Sequence, residues 1–405
     1  MNKRLLIVFI LGFSSGLPFA LISSTLQAWF ADSGMSILAT GLLSLVGLPY
    51  AFRMAWGPLL DRYSLLSMGK RRSWIGIMQV LLLLGFNAMA WCSPNTSPML
   101  LTGIAFMMAC FSATQDIAID AHRIEYLPVK EHGLGASLAV LGYRLALLLA
   151  GGFALILAQH AGWPIVYRIM GFLMIPGMLA VMFSPEPSQK VTDQLSFSAS
   201  FIEPIKELWS RKKVTILLLF VFFYKLGEAF TTTTSGIMMP FLIQELGFSL
   251  DTIAYVNKIM GLGSILLGGL TAGFLLMRWS LYRSLMVFGL LQAITNGLFI
   301  ALALYGQNIT VFVLAVVSDN FVAGMGSTAL VALFMRWVDR RFTATQFSIL
   351  VAFSTLPRIV SGPLGVMLQS WFGWAGLFEV TLFLGLLFVP LLVGFRDQTI
   401  ALHDS

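Results

Sequence analysis

The chain has 405 residues, 58% of them hydrophobic and 11% charged, with a mean hydropathy of +0.86 and 33 Phe against 18 acidic side chains. That leaves too little polar surface for a soluble domain of this length, and apolar runs of about 20 residues, each long enough for roughly 30 Å of hydrocarbon, recur throughout. A β-barrel, whose strands read as short alternating segments, does not fit the pattern.

In chain order the runs predict twelve transmembrane helices, at about 5–30, 37–60, 73–91, 98–121, 134–158, 163–183, 214–243, 252–277, 282–304, 309–337, 343–370 and 374–395. The first opens MNKRLLIVFILGF, a signal-like start. Its apolar stretch runs on past the length of a signal core, so it reads as an uncleaved span. Several runs exceed what a bilayer needs and predict tilt or kinks. Lys3 and Arg4, Arg62 and Lys70, Arg123 and Lys130, Lys190 to Lys213, Arg278 and Arg283, Arg336 to Arg341, and Arg396 all fall in one set of connections. The alternate set, near 31–36, 92–98, 159–162, 244–251, 305–308 and 371–373, holds no Lys or Arg. This split predicts both termini in the cytoplasm. It also accounts for the net charge of +7 without any nucleic-acid partner. Two cysteines, Cys92 and Cys110, and four His at these spacings supply neither a disulfide framework nor a metal set. No cofactor is called for.

The longest polar stretch, residues 184–213, divides the chain into a six-helix half at 1–183 and a second at 214–405. It reads as a cytoplasmic linker with a short amphipathic helix near Phe201–Trp209. The halves share landmarks. Leu11-Gly12 matches Leu226-Gly227, Gly34 and Ser36 match Gly247 and Ser249, Arg62 matches Arg278, and Arg144 matches Arg358, at shifts of 215, 213, 216 and 214. Six spans, a linker and six similar spans is the plan of major facilitator transporters, which this chain resembles. The first span of each half carries helix-loosening residues, Gly16 and Pro18 in one and Gly236 and Pro240 in the other. Paired interruptions point to a substrate path.

An ionisable group at membrane depth costs about 2.5–3.5 kcal/mol on insertion scales, so each must be paired, wetted or functional. In CFSATQDIAIDAHR, Ser112, Asp116 and Asp120 are spaced four apart and share one face of the fourth span, with Gln115 beside them. Low dielectric penalises a charged carboxylate. Asp116, reached by water from each side in turn, would load and release a proton. The competing reading is a fixed ion pair with Arg144 on the next span. Asp120, near Arg123 and the interface, reads as a gate or a packing pair. Arg144 follows Tyr143, and Arg358 holds the corresponding place in the second half. Facing one cavity they would attract an anion; alternatively each neutralises an acid of its own half, Asp116 or Asp319. Lys225 and Glu228, three apart, are placed to neutralise one another. Lys258 has no partner on its own helix and is a ligand candidate. Arg53 and Arg168 fall near helix ends, where snorkelling is expected. Trp29, Tyr50, Thr231 to Thr234, Asn257 and Asn320 add aromatic and amide groups suited to a sugar, although Trp29 also fits an interfacial belt.

GPLLDRYSLLSMGKRR, residues 57–72, resembles the major facilitator signature between the second and third spans. The resemblance implies a gating role for Asp61 and Arg62. LGFSSGLPFAL, TLQAWF, SLVGLPYAFRMAWGPLLDRY, GKRRSW, SATQDIAIDA and LGYRLALLLAGG together resemble the AmpG muropeptide permease family over about residues 10–187. The resemblance implies proton-driven uptake of anhydromuropeptides across the bacterial inner membrane for cell-wall recycling, with Gln115 and Asp116 as the residues carried over. The partners it implies are a glycopeptide cargo, protons and membrane lipid, handled by a monomer. Other cargoes remain open: acetyl-CoA, which asks for more cationic groups, or drugs in antiport, which ask for fewer polar ones. A membrane enzyme would need carboxylates on sizeable aqueous loops, and the outer connections here are short.

Overall fold

A computed structural model describes residues 3–56, 60, 63–128, 132–185, 197–211, 213–337 and 343–396. Lipid offers no partner for a backbone N–H or C=O, so an apolar segment crossing it closes its own hydrogen bonds as a helix. The described residues are helical throughout their apolar runs and contain no strand. The helices are α1 (Lys3–Asp32), α2 (Ile37–Phe52), α3 (Lys70–Met89), α4 (Pro98–Tyr126), α5 (132–161), α6 (Trp163–Phe183), α7 (Val214–Ala229), α8 (Leu250–Leu276), α9 (Leu281–Tyr305), α10 (Ile309–Trp337), α11 (343–372) and α12 (374–394). Among the described residues, nine apolar runs are long enough to cross a bilayer. One of them, Ile349–Gly394, is α11 and α12 joined at Gly373, whose φ of 68° is not helical. With α2 and α7, both shorter, the membrane segments number twelve. A further helix, Phe197–Ser210, lies in the stretch read as a linker.

The chain forms two compact units. The first comprises Met1–Ala39, Leu45–Gln194 and Ser249–Ala254, and the second Thr40–Ser44, Leu195–Phe248 and Tyr255–Ser405. In the first unit α1 and α5 approach backbone to backbone. A Cβ on Gly12 would stand 2.3 Å from the Ala139 carbonyl oxygen, and one on Gly142 would stand 2.2 Å from that of Phe9. Small residues are what allow such contact between helices in lipid. Both helices widen locally, at Leu21–Thr25 and Leu149–Phe153, and there Thr25 Oγ1 donates to the Ala150 carbonyl at 2.6 Å.

The repeat is visible in local geometry. Gly34 and Gly247 both take left-handed φ, 72° and 69°. Ser36 Oγ then accepts from the Ala39 amide, and Ser249 Oγ from the Thr252 amide, capping the next helix in each case. A second correspondence escapes a comparison built on identical landmarks. Trp29 stacks on Trp163 at 5.9 Å and lies 5.0 Å from Tyr167, which lies 6.5 Å from Phe86. Phe241 lies 4.9 Å from Trp374 and 5.1 Å from Phe378, which lies 5.6 Å from Phe299. The shifts are 212, 211, 211 and 213, so one four-ring frame is built twice.

The interruption expected at Gly236 is present and takes more of the seventh predicted helix than that glycine, whereas α1 stays helical through Gly16 and Pro18, whose expected interruption is absent. Instead of one helix over 214–243, α7 stops at Ala229, an irregular stretch carries Thr231 to Gly236, and helix resumes at Met238. Gly236 has a φ of 86°, which a side chain at that position would strain. Thr231 to Thr234 therefore do not share a helical face. Non-helical backbone at membrane depth is tolerated where protein or a wet cavity satisfies it.

The α1–α5 crossing yields a stability expectation. Gly142→Leu places a branched side chain into backbone and should cost about 3 kcal/mol or more, the upper range of overpacking. A lowered thermal midpoint of the detergent-purified protein measures it, with Gly76→Leu, where nothing lies within 4 Å of an added Cβ, as the control.

Candidate functional site

In the first unit the polar face of α4 points where its spacing places it. Ser112, Gln115 and Asp116 are buried, and Asp120 is half-exposed at the helix end. Asp116 is held from two sides. Ser15 Oγ on α1 donates to Oδ1 at 2.6 Å, and Arg53 Nη1 lies 3.6 Å from Oδ2. This corrects the reading of Arg53 as a snorkelling end residue. Pro49 and the tight turns at Leu43–Gly47 and Arg53–Ala55 loosen α2, and the guanidinium turns inward instead of out to an interface. The Arg53 side chain is 37% exposed against 11% for Asp116, so one member of the pair stays open to solvent or ligand.

Gln115 Nε2 donates to the Ser14 carbonyl at 2.8 Å, while its Oε1 is buried without a partner among the described residues. Tyr50 OH and Ser112 Oγ are buried within reach of one another and have no further partner among the described residues. The cluster thus pairs one buried acid with polar atoms whose hydrogen bonds are not all made by protein. Trp56 Nε1 donates to Thr114 Oγ1 at 3.1 Å on the neighbouring turn of α4.

Arg144 does not neutralise Asp116. It is half-buried on α5 beside Tyr143 and has no hydrogen-bond or ion-pair partner among the described residues. Asp120 pairs with Arg123 at 3.0 Å, one turn along its own helix. Asp61 and Arg62 lie outside the described residues. Trp29 is corrected as a cargo ligand: it is 4% exposed, and the rings of Trp163 and Tyr167 occupy its surroundings. Trp163 Nε1 in turn donates to Asp32 Oδ2 at 2.7 Å, fixing the stack to the end of α1. Neither a sugar nor an interfacial belt has access to that ring. Arg168 lies 4.9 Å above the Trp91 ring rather than in a cavity.

In the second unit Lys225 and Glu228 are hydrogen-bonded to one another as their spacing suggests, and Lys225 Nζ also donates to Ser327 Oγ at 3.1 Å. Lys258 Nζ donates to Thr233 Oγ1 at 3.0 Å, within the irregular stretch after α7. Beside it, Asn257 Nδ2 is buried without a partner among the described residues. Arg358 is half-buried and its side chain is likewise unpaired among them. It does not neutralise Asp319, which accepts instead from Thr231, Thr295 and Gln292. No group of His, Cys, Asp and Glu among the described residues could hold a metal.

Sequence reasoning missed Ser15 and the Arg53 pairing. The signals were there: Ser14-Ser15 sits between Gly12 and Gly16 in an apolar helix, and GLPYAFRMAWG brackets Arg53 with helix-loosening residues.

Two helical units, a broken helix in the second and buried charges with open partners define a secondary transporter. The family model described as Major Facilitator Superfamily matches residues 8–233 and 225–401, and the chain belongs to that superfamily as a multi-pass membrane transporter. The nucleoside transporter NupG shares its fold, with a TM-score of 0.73 at 14% identity, covering 98% of this chain and 99% of that one. Within the superfamily the chain belongs to the AmpG muropeptide permease family: it is 38% identical over 375 residues to the anhydromuropeptide permease of Escherichia coli K12, covering 92% of this chain and 76% of the relative. An uncharacterized Haemophilus influenzae protein is 36% identical over 398 residues, covering 95% of this chain and 92% of that one.

The Trp29 correction is testable. Trp29→Ala should cost about 3–5 kcal/mol by emptying the stack. Trp29→Phe, which copies Phe241 of the second frame, should keep both the thermal midpoint and transport close to wild type. A sugar-stacking role would show instead as weaker cargo binding in a fully stable Trp29→Phe protein.

Proposed function

We propose that the protein imports anhydromuropeptides, N-acetylglucosaminyl-anhydro-N-acetylmuramyl species with or without stem peptide, across the bacterial inner membrane by proton symport for peptidoglycan recycling. Both termini face the cytoplasm in this reading. The observation that carries it is the 38% identity to a permease of that name over 92% of the chain. The charge pattern of the connections supports the orientation.

The geometry around Asp116 supports a way of coupling. With Asp116 ionised, Arg53 is engaged at 3.6 Å. A proton on Asp116 removes the charge that holds the guanidinium and frees it for a cargo carboxylate. Release of the cargo then restores the pair and expels the proton. In both stages the Arg53 cation faces one anion, first Asp116 and then the cargo carboxylate, which is what an apolar surrounding demands. In the first unit Arg144 supplies further positive charge and Gln115 and Tyr143 offer groups for the sugar; in the second, Lys258 and Arg358 supply positive charge and Asn257 an amide. Asp61, Arg62 and Asp120 stand as gating residues at the cytoplasmic ends.

The energetics agree with such a cargo. Stem-peptide carboxylates make it anionic, and moving one negative charge inward against the membrane potential costs about 2.3 kcal/mol per 100 mV. Each proton carried in cancels one charge and adds the pH gradient.

Uptake of labelled anhydromuropeptide into membrane vesicles, with and without an imposed pH gradient, tests the reading. Asp116→Asn should insert and bind cargo but no longer concentrate it. Normal accumulation by that variant would remove Asp116 from the coupling role. Arg144→Ala should bind peptide-bearing cargo roughly tenfold or more weakly, the worth of a hydrogen bond to a charged group, and equal affinity would remove Arg144 from cargo binding.

A further inference from the structure

The second unit holds an acid that the coupling scheme does not use. Asp319 on α10 is 4% exposed. Its contacts among the described residues are all to neutral groups: Thr231 Oγ1 at 2.9 Å from Oδ2, and Gln292 Nε2 at 2.5 Å and Thr295 Oγ1 at 3.3 Å from Oδ1. No cation on the surrounding helices makes an ion pair with it among the described residues, and the one charged group that acts on it is the like-charged Glu228 carboxylate. Lys225 of α7 bonds Glu228 and Ser327, Lys258 of α8 donates to Thr233, α9 presents Gln292, Thr295 and Asn296, and Arg358 of α11 makes no ion pair among the described residues.

Hydrogens can be counted at this site. Thr231 Oγ1 lies 2.9 Å from Asp319 Oδ2 and also 3.1 Å from the Glu228 carbonyl oxygen. Thr295 Oγ1 lies 3.3 Å from Oδ1 and also 2.9 Å from the Gln292 carbonyl oxygen. Each hydroxyl has one hydrogen and faces two acceptors. An ionised Asp319 keeps the Gln292 amide on Oδ1, but each threonine hydroxyl reaches it only at the expense of a backbone carbonyl, and no cation among the described residues pairs with it. A hydrogen on Oδ2 resolves the shortage. It is donated to a lone pair of Thr231 Oγ1, whose own hydrogen goes to the Glu228 carbonyl. Thr295 donates to the Gln292 carbonyl, and the Gln292 amide donates to Oδ1. The carboxyl, the two hydroxyls and the two carbonyls then each have a partner, as buried polar groups require.

We infer that Asp319 is a proton-binding site of the second unit, loaded in the conformation described here and distinct from Asp116. It lies beside the break after α7, since Thr231 is the second residue beyond that helix. Any movement that withdraws Thr231 also takes away the acceptor for the proton. The site is thereby tied to the geometry of a broken helix, as a carried proton in a transporter must be. The inference concerns a carboxyl in the resting protein and does not depend on the cargo.

Infrared difference spectroscopy of the detergent-purified protein at neutral pH tests it. A protonated-carboxyl C=O stretch is expected in wild type, lost in Asp319→Asn and retained in Asp116→Asn. Asparagine keeps the shape and the donor toward Thr231, so the fold should survive. Thr231→Val supplies a second reading, because loss of the acceptor hydroxyl should shift the same band toward that of a free acid. A band unchanged by both Asp319→Asn and Thr231→Val overturns the inference. So does a band lost in Asp116→Asn and kept in Asp319→Asn, an outcome that leaves the proposed coupling at Asp116 standing.

Discussion

A charge at membrane depth has to be met by something, and the arrangement of this protein follows from how each one is met. Asp116 is met by a hydroxyl from α1 and a guanidinium that follows α2. Those two partners come from elements whose helical regularity is relaxed. Ser15 stands in the glycine-lined crossing of α1 with α5, and Arg53 in a tight turn beyond α2. A straight α2 would carry the guanidinium elsewhere. The local irregularity is thus a condition of the ion pair. Arg53 is the more exposed partner, so the pair is sealed on the side of the acid and open on the side of the cation.

The second unit meets its charges differently. Lys225 and Glu228 cancel one another a turn apart, and Lys258 is held by a hydroxyl from the stretch where α7 has come apart. Asp319 has only neutral donors. A buried acid among hydroxyls and amides and a buried acid beside a guanidinium are chemically unlike. The first has only neutral partners among the described residues, and the second has a cation 3.6 Å away.

The class of the protein and the number of its spans were legible because hydrophobic length is a one-dimensional property. The polar face of α4 was legible for a related reason: a spacing of four survives in any straight helix. Partners were not legible where helices bend. Arg53 counted along an ideal helix falls near an end, and Thr231 to Thr234 counted the same way form a stripe that the break after Ala229 abolishes. Trp29 was misjudged because an aromatic near the end of a span reads alike whether lipid, sugar or another ring covers it. The decisive signal was the repeated Gly-Trp at 162–163 and 373–374, which sets Trp163 and Trp374 at the start of matching helices. Comparing identical residues alone hides it, since Trp29 and Tyr167 are answered by Phe241 and Phe378.

What repeats and what does not divides scaffold from chemistry. The four-ring frame, the left-handed glycines and the serine caps recur at nearly one shift, so they belong to the folding of each six-helix unit. The shift of 212 that carries Trp29 onto Phe241 carries Asp116 onto Thr328 and Asp319 onto Met107, so neither acid has an acidic counterpart. Gln79 and Gln292 do correspond, at a shift of 213, yet only Gln292 has a carboxylate to address, and the amide of Gln79 is buried with neither atom bonded among the described residues. A duplicated fold supplies two equivalent frames, and the chemistry of each unit is set by the residues that the duplication does not repeat. One acid stands beside an arginine and the other among hydroxyls and an amide, so the two units differ in what surrounds a buried charge and agree in the frame that holds it.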